Sequence, residues 1–250
     1  MGYEVSYIAV YGSQNYWLDI NTEEYESDVD YKCVVIPTLK ELVWQTKPVS
    51  MVVEFEGWQI DVKDVRVFFD SVVKCNVNFL ETLTTKHYLF FWEEHKFWNS
   101  IRMEIPKLID EMWQSYLRCA YWMMTEKFHA LDKEYPSTAH KVKKYWYDPK
   151  QLHHIVRLFW LMERYVAWCE RWDFMEYGEN SELLKSIKSN WVENKEQAFS
   201  YATNCIELAE EIRNNYKVEE RYSVKNKIIE LSREVIINNA IRKNEKVLLP

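Results

Sequence analysis

Three aspartates lie in or beside short apolar runs that are typical of strands, and their spacing could assemble a metal site. Asp28 and Asp30 begin the second such run, and because they are two residues apart they point to the same side of an extended strand. Asp61 lies within the next long run, between Ile60 and Val62. Carboxylates this close repel each other unless a cation neutralises them, and hard oxygen ligands suit Mg²⁺ or Mn²⁺. Three of them on adjacent strands could hold two ions roughly 3.5–4 Å apart, the arrangement that serves in-line phosphoryl or nucleotidyl transfer.

A glycine and a serine follow the first apolar run. Gly12 is one of only 4 glycines in 250 residues, and it directly precedes Ser13. A Gly-Ser turn between a strand and a helix lets backbone N–H groups and the serine hydroxyl approach a phosphate at the helix N-terminus. Each of these signals alone is weak, since turns favour glycine, serine and aspartate for ordinary reasons. Their order in this chain makes the combination more specific.

A basic stripe is expected on a helix in the second half of the chain. Lys150, His154 and Arg157 are spaced i, i+4 and i+7, so they share one face of the helix that Asp148-Pro149 opens, whereas His153 points elsewhere. This face could clamp phosphate oxygens, and Arg157 could bind them in a bidentate manner. The alternative is a solvated basic face with a histidine buried in the core.

Two further charged residues have open interpretations. Asp64 could replace Asp61 as the third carboxylate, although its position before an apolar helical stretch favours an N-cap. Lys32 shares the strand face of Asp30 and could either pair with the carboxylates or contact a phosphate.

The elements that must position these residues divide the chain into two halves. The first half has β-branched and aromatic runs that predict strands at VSYIAVY, DYKCVVIP and SMVVEFEGWQIDVKDV, with helices starting at Ser13 and after Asp64. From about Trp92 the apolar spacing becomes helical, and one predicted helix has Pro106 near its start. We therefore expect an α+β protein, with a small mixed-sheet catalytic domain over 1–95 and an all-helical bundle over 96–250. The bundle would supply the triphosphate clamp and the acceptor side of a cleft.

Composition restricts the setting of such a site. A formal charge of −7 argues against broad, non-specific binding of nucleic acid. Five scattered cysteines without CxxC pairs predict reduced core thiols, and neither a signal peptide nor a membrane-spanning segment is expected. These features indicate a cytoplasmic protein.

Taken together, the motifs resemble the nucleotidyltransferase superfamily that includes DNA polymerase β. Within it they are most similar to the predicted nucleotidyltransferases associated with RNA ligases in bacterial and phage RNA repair. Trp17 departs from the pattern, since many relatives would have glycine there. The segments that carry the resemblance are YGSQNY (11–16), SDVDYK (27–32), IDVKDVRVFF (60–69), NVNFLETL (76–83) and DPKQLHHIVRL (148–158).

The resemblance implies a polymerase β-like palm, two Mg²⁺ or Mn²⁺ ions and an NTP donor, with ATP as the expected nucleotide. Asp28, Asp30 and Asp61 would be the catalytic metal ligands, and Gly12, Ser13, Lys150, His154 and Arg157 would bind the nucleotide. The expected reaction transfers an NMP to a hydroxyl of an RNA end, a protein or a small molecule and releases pyrophosphate. The alternative is a catalytically silent nucleotide- or RNA-binding scaffold of the same fold.

Overall fold

The computed structural model describes residues 4–16, 18–20, 27, 29–91, 95–136, 138–167, 181–189, 192, 194–217 and 219–248, with side chains to residue 242. Asp28 and Trp17 therefore lie outside the described residues. Within these ranges, none of the helices is long and apolar enough to cross a bilayer.

A five-stranded mixed sheet forms the N-terminal part of the protein, in the order β3-β4-β2-β1-β5. β2 and β4 are parallel, and the other neighbours are antiparallel. The strands are β1 (Glu4–Tyr11), β2 (Asp30–Ile36), β3 (Ser50–Phe55), β4 (Trp58–Asp64) and β5 (Tyr88–Phe90).

The structure describes ten α-helices, which supply most of the remaining regular structure. They are α1 (Leu39–Val43), α2 (Val65–Val72), α3 (Val77–Thr84), α4 (His95–Glu111), α5 (Trp113–His129), α6 (Ala139–Tyr145), α7 (Pro149–Ala167), α8 (Ser181–Lys188), α9 (Lys195–Asn215) and α10 (Ser223–Leu248). A mixed sheet followed by helices confirms the predicted α+β class.

The chain packs into two compact units. Unit 1 contains residues 1–15, 28–113 and 220–250, and unit 2 contains residues 16–27 and 114–219. In unit 1, α10 packs on α4, and the Lys227 ammonium lies 2.9 Å from a carboxylate oxygen of Glu104. The sheet unit thus includes the last helix of the chain as well as α4. The predicted division into a catalytic domain over 1–95 and a helical domain over 96–250 differs from this grouping and stays a prediction.

Helices of unit 1 cover one face of the sheet. The Tyr7 ring stacks on that of buried Trp98, with centroids 4.6 Å apart, and the Trp98 indole donates to the Ser6 hydroxyl at 2.8 Å. The Tyr7 hydroxyl in turn donates to the carbonyl of Thr82 on α3 at 2.6 Å. The opposite face carries a second apolar cluster built around Cys33, Val35 and Val62. Side chains that alternate along β1 and β2 thus have two different surroundings.

The cysteines are consistent with the expected reduced thiols. Cys33, Cys75 and Cys205 are buried and Cys119 is partly buried, and none of these four forms a disulfide. Cys169 lies outside the described residues.

Candidate functional site

The turn after β1 brings Gly12 against the first residue of β2. Tyr11 pairs with Asp30 in the antiparallel ladder, so the turn begins directly beside the Asp30 carboxylate. Gly12 has φ +79°, and a Cβ atom there would lie 3.1 Å from Oδ2 of Asp30. Glycine is therefore favoured by the backbone conformation and by the close approach of a carboxylate. The structure brings these two predicted site residues together.

Side chains hold this turn in place. Gly12–Tyr16 forms a short 3-10 helix instead of the expected α-helix from Ser13. The Asn15 amide donates to the Val10 carbonyl at 2.9 Å, and its oxygen accepts from the Thr85 hydroxyl at 2.6 Å. Ser13 is half-buried in the turn, and its role in phosphate binding stays a prediction.

Asp61 lies on the neighbouring strand, and lysines contact both of its oxygens. Lys32 and Asp61 are partners in the parallel β2–β4 ladder, and Lys32 Nζ lies 2.6 Å from Oδ2 of Asp61. Lys63, two residues further along β4, places its Nζ 2.9 Å from Oδ1, although not in hydrogen-bond geometry. Of the two alternatives for Lys32, the structure therefore shows the one that pairs with a carboxylate.

Lys32 is enclosed by aromatic rings as well as by charge. It is 2% exposed, and its ammonium lies 4.2 Å from the Tyr11 ring centroid and 4.6 Å from that of Phe79. Burial lowers the pKa of Lys32, and the hydrogen bond to Asp61 opposes that shift.

Tyr11 is a site residue that the sequence did not reveal. Burial raises the pKa of its phenol, and the charges of Asp30 and Asp61 raise it further. Tyr11 pairs with Asp30, and Lys32, two residues further along β2, pairs with Asp61, so Tyr11, Asp30 and Asp61 lie on the same face of the sheet. Only the β1–β2 register, with Tyr11 opposite Asp30, could have indicated that Tyr11 belongs to the site.

Asp64 caps a helix. Its carboxylate accepts from the backbone N–H of Arg66 at 2.8 Å and binds the Arg66 guanidinium at 2.9 and 2.6 Å. This favours the N-cap over the alternative role as a third metal ligand.

The fit of these residues to divalent ions differs between the two strands. Glycine at position 12 avoids crowding Oδ2 of Asp30, which a Cβ atom would approach to 3.1 Å, and a carboxylate oxygen is a ligand that divalent ions such as Mg²⁺ accept. Asp61 fits poorly, because ammonium groups contact both of its oxygens. Among the described residues, which do not include Asp28, no group of three or more histidines, cysteines or carboxylates is arranged to hold a metal. The predicted set of three metal ligands therefore stays a prediction.

Within unit 2, α7 carries the predicted basic stripe. Asp148 caps this helix by accepting from the backbone N–H of Lys150 at 2.9 Å, as the sequence predicts. Arg157 is only 6% exposed, and its guanidinium lies 4.5 Å from the centroid of the Tyr16 ring. The alternative interpretation, a solvated basic face, therefore does not apply to Arg157.

The two histidines of α7 have different surroundings. A ring nitrogen of His153, Nδ1, lies 2.9 Å from the carbonyl oxygen of Leu184, and burial lowers the His153 pKa to about 3. His154 is half-buried, and burial together with Arg157, His153, Lys127 and Lys150 lowers its pKa well below 6.5. At neutral pH His154 is therefore a hydrogen-bonding group and not a cation.

Lys127 on α5 joins this cluster. α5 runs antiparallel to α7, since Tyr116 contacts Tyr165 at 4.9 Å between ring centroids and the Asp148 N–H donates to the Leu131 carbonyl at 2.7 Å. Burial lowers the pKa of Lys127, and the charges of Lys150 and Arg157 contribute to the same shift. Lys127 lies 23 residues before Lys150, so no helical spacing in the sequence could have linked them.

Comparisons with known proteins identify no family. The sequence matches no family model and no curated protein. Among solved structures, a nucleotidyltransferase-like protein from Exiguobacterium sibiricum aligns over 97% of this chain and 87% of its own, at 10% identity and a TM-score of 0.33. Similarity this low does not establish a shared fold, so the function proposed below rests on the residues of the site.

Proposed function

We propose that this protein is a divalent-metal-dependent nucleotidyltransferase. It would transfer an NMP from an NTP, with ATP as the expected donor, to an acceptor hydroxyl and release pyrophosphate. The observation that carries the proposal is the approach of the Gly12 backbone to the Asp30 carboxylate, at the point where β1 leaves the sheet and β2 enters it. Asp61 and Tyr11 on the same sheet face support it.

Asp30 is the described residue that would hold the ion, and Asp28 would join it from outside the described part of the chain. When bound, Mg²⁺ or Mn²⁺ would supply neutralisation of phosphate charge and activation of the acceptor hydroxyl. Glycine at position 12 avoids a Cβ atom 3.1 Å from Oδ2 of Asp30, and the Asn15 amide holds the turn by donating to the Val10 carbonyl.

Asp61 is the residue that we assign to proton removal from the acceptor hydroxyl. Asp61 could accept this proton only if one of its oxygens exchanged a lysine contact for the hydroxyl. Ser13, Lys150, His154 and Arg157 stay predicted nucleotide ligands, and within unit 2 the described residue that best extends their set is Lys127.

The acceptor could be an RNA end, as in RNA repair, a protein hydroxyl or a small molecule, in the cytoplasm where NTPs are available. A catalytically silent nucleotide- or RNA-binding scaffold is the second candidate. The double lysine contact of Asp61 favours it, since a carboxylate neutralised by the protein has less need of an ion.

One labelling experiment tests both candidates. We would incubate the protein with each α-³²P-labelled NTP, Mg²⁺ or Mn²⁺, and cell RNA, cell protein or no acceptor. Asp30→Asn should lower label transfer by about 10²-fold or more, because it removes charge where charge must be neutralised in the transition state. Asp70→Asn is the matched control, since Asp70 is an exposed carboxylate that pairs only with Lys74 among the described residues.

The outcomes separate the candidates. Label that appears on one acceptor class and disappears in Asp30→Asn would support the enzyme and identify its acceptor. Transfer that survives in Asp30→Asn would overturn the assignment. NTP binding without label or pyrophosphate release would favour the scaffold.

A further inference from the structure

The contacts of Asp61 conflict with a two-ion site. Both of its oxygens face lysine ammonium groups, Lys32 at 2.6 Å and Lys63 at 2.9 Å. The side chain of Asp61 is 15% exposed, so solvent screens these charges little. Its negative charge is balanced by the protein itself.

Lys32 cannot easily leave this position. Its Cα lies opposite that of Asp61 in a hydrogen-bonded ladder that runs from Asp30 to Val35 on β2. The ammonium is packed against the Tyr11 and Phe79 rings, and the side chain is 3% exposed. If an ion displaced Lys32 from Asp61, a buried ammonium would be left without its carboxylate, which is strongly unfavourable.

Lys63 differs from Lys32 in this respect. Its side chain is 18% exposed, and its ammonium also donates to the Ser50 hydroxyl at 2.7 Å. Lys63 could therefore release Asp61 at little cost, whereas Lys32 could not. The contact that decides the occupancy of Asp61 is the one to Lys32.

We propose that this site takes a single divalent ion, held by Asp30 and not by Asp61, and that the Lys32 ammonium supplies at Asp61 the positive charge that a second ion would bring. The inference deepens the proposed function and rests on it, since it concerns the same sheet face. A dication bound to Asp61 would have to share that carboxylate with the Lys32 ammonium, which lies 2.6 Å from Oδ2, and two positive charges this close repel each other where screening by water is weak.

The test counts bound ions instead of measuring turnover. Mn²⁺ binding would be followed by electron paramagnetic resonance in the presence of a saturating, non-hydrolysable ATP analogue. The variants would be Asp30→Asn and the double variant Lys32→Met/Asp61→Asn. The double variant removes both charges of the buried pair together, so no unpaired charge is left in the interior. Lys63→Met is the matched control, since it leaves the contact between Lys32 and Asp61 intact.

We expect one protein-bound Mn²⁺ per chain in the wild type, in the control and in the double variant, and at least a tenfold weaker affinity in Asp30→Asn. Two ions in the wild type, one of which is lost in the double variant, would overturn the single-ion inference and leave the proposed function standing. No bound Mn²⁺ in the folded wild-type protein would overturn both.

Discussion

At the scale of single residues, a comparison of two glycines distinguishes the effect of backbone strain from the effect of crowding at the candidate site. Gly12 and Gly57 have nearly equal φ values, +79° and +84°, but only Gly12 has an atom near the position of a Cβ. Gly57 lies in the two-residue turn between β3 and β4, where nothing lies within 4 Å of that position. Substitutions at Gly57 therefore serve as a control for substitutions at Gly12, because both cause backbone strain but only those at Gly12 also crowd Asp30.

We predict that Gly57→Ala costs roughly 1–2 kcal/mol of unfolding free energy, because an L-residue is strained at positive φ. Gly12→Ala should cost at least as much, and in addition it should lower Mn²⁺ affinity and label transfer, because its Cβ pushes against Oδ2 of Asp30. Urea unfolding and the two binding assays measure these effects. Equal Mn²⁺ affinities in the two variants would show that the close approach at Gly12 does not matter to the site.

At the scale of secondary structure, Asp64 links β4 to α2. Its buried carboxylate binds one backbone N–H and the guanidinium of Arg66. Asp64→Ala should therefore destabilise the protein by about 2 kcal/mol, the upper end for loss of an N-cap. Asp70→Ala, which removes an exposed partner of Lys74, should change stability by less than about 0.5 kcal/mol.

The urea midpoint of each variant, with the slope checked for constancy, gives these values. If Asp64→Ala abolished Mn²⁺ binding while the protein remained folded, Asp64 would have to be reconsidered as the third carboxylate.

Strong local signals in the sequence predicted the elements well. β1, β2, α2, α7 and α9 lie where alternation, N-caps and helical spacing place them. The run over 50–65, expected to be a single strand, is a hairpin that turns at Glu56-Gly57, where both residues have positive φ. Glutamate is not a usual residue for such a turn, so the signal for a hairpin at Glu56-Gly57 is weak.

The prediction that Pro106 lies near the start of a helix was wrong. It lies inside α4 and not near the start of a helix, and the break between α4 and α5 falls at Met112. Proline is disfavoured in a helix interior, so local propensity predicted a helix start. Packing of the buried residues of α4, including Trp98 and Ile101, against the rest of unit 1 overrides that preference.

The site was predictable only in part, for a similar reason. Spacing identified Gly12, Asp30 and Asp61 as residues of interest. It also named Lys32 as a partner of the carboxylates or of a phosphate. The choice between these two roles, the contact of Lys63 with Asp61 and the position of Tyr11 depend on strand register, which a single sequence does not specify. Lys127 joins Lys150 and Arg157 only through the antiparallel packing of α5 and α7.

At the scale of the whole molecule, buried histidines make stability depend on pH. Burial lowers the pKa of His153 to about 3 from 6.5, with further contributions from Arg157, Lys188 and Lys150. The unfolded chain therefore binds a proton at higher pH than the folded chain. The contribution is complete above about pH 6.5 and is lost as the pH falls toward 3.

Urea unfolding followed by circular dichroism should thus give a free energy that is constant from pH 8 to 7 and falls by more than about 1 kcal/mol at pH 5.5. His153→Gln can still donate to the Leu184 carbonyl but does not titrate, so it should make this decrease smaller and leave the part that His154 contributes. His140→Gln, at an exposed position on α6, is the control and should not. A wild-type curve that is flat down to pH 5 would contradict the prediction.

The order of the two units along the chain affects how unit 1 folds during synthesis on the ribosome. Residues 220–250 belong to unit 1, but they emerge only after the whole of unit 2, which adds about a hundred residues after position 113. At typical bacterial elongation rates this delay is on the order of ten seconds. During that time the surface of α4 that later receives α10 stays uncovered, so it is open to chaperones and to neighbouring nascent chains.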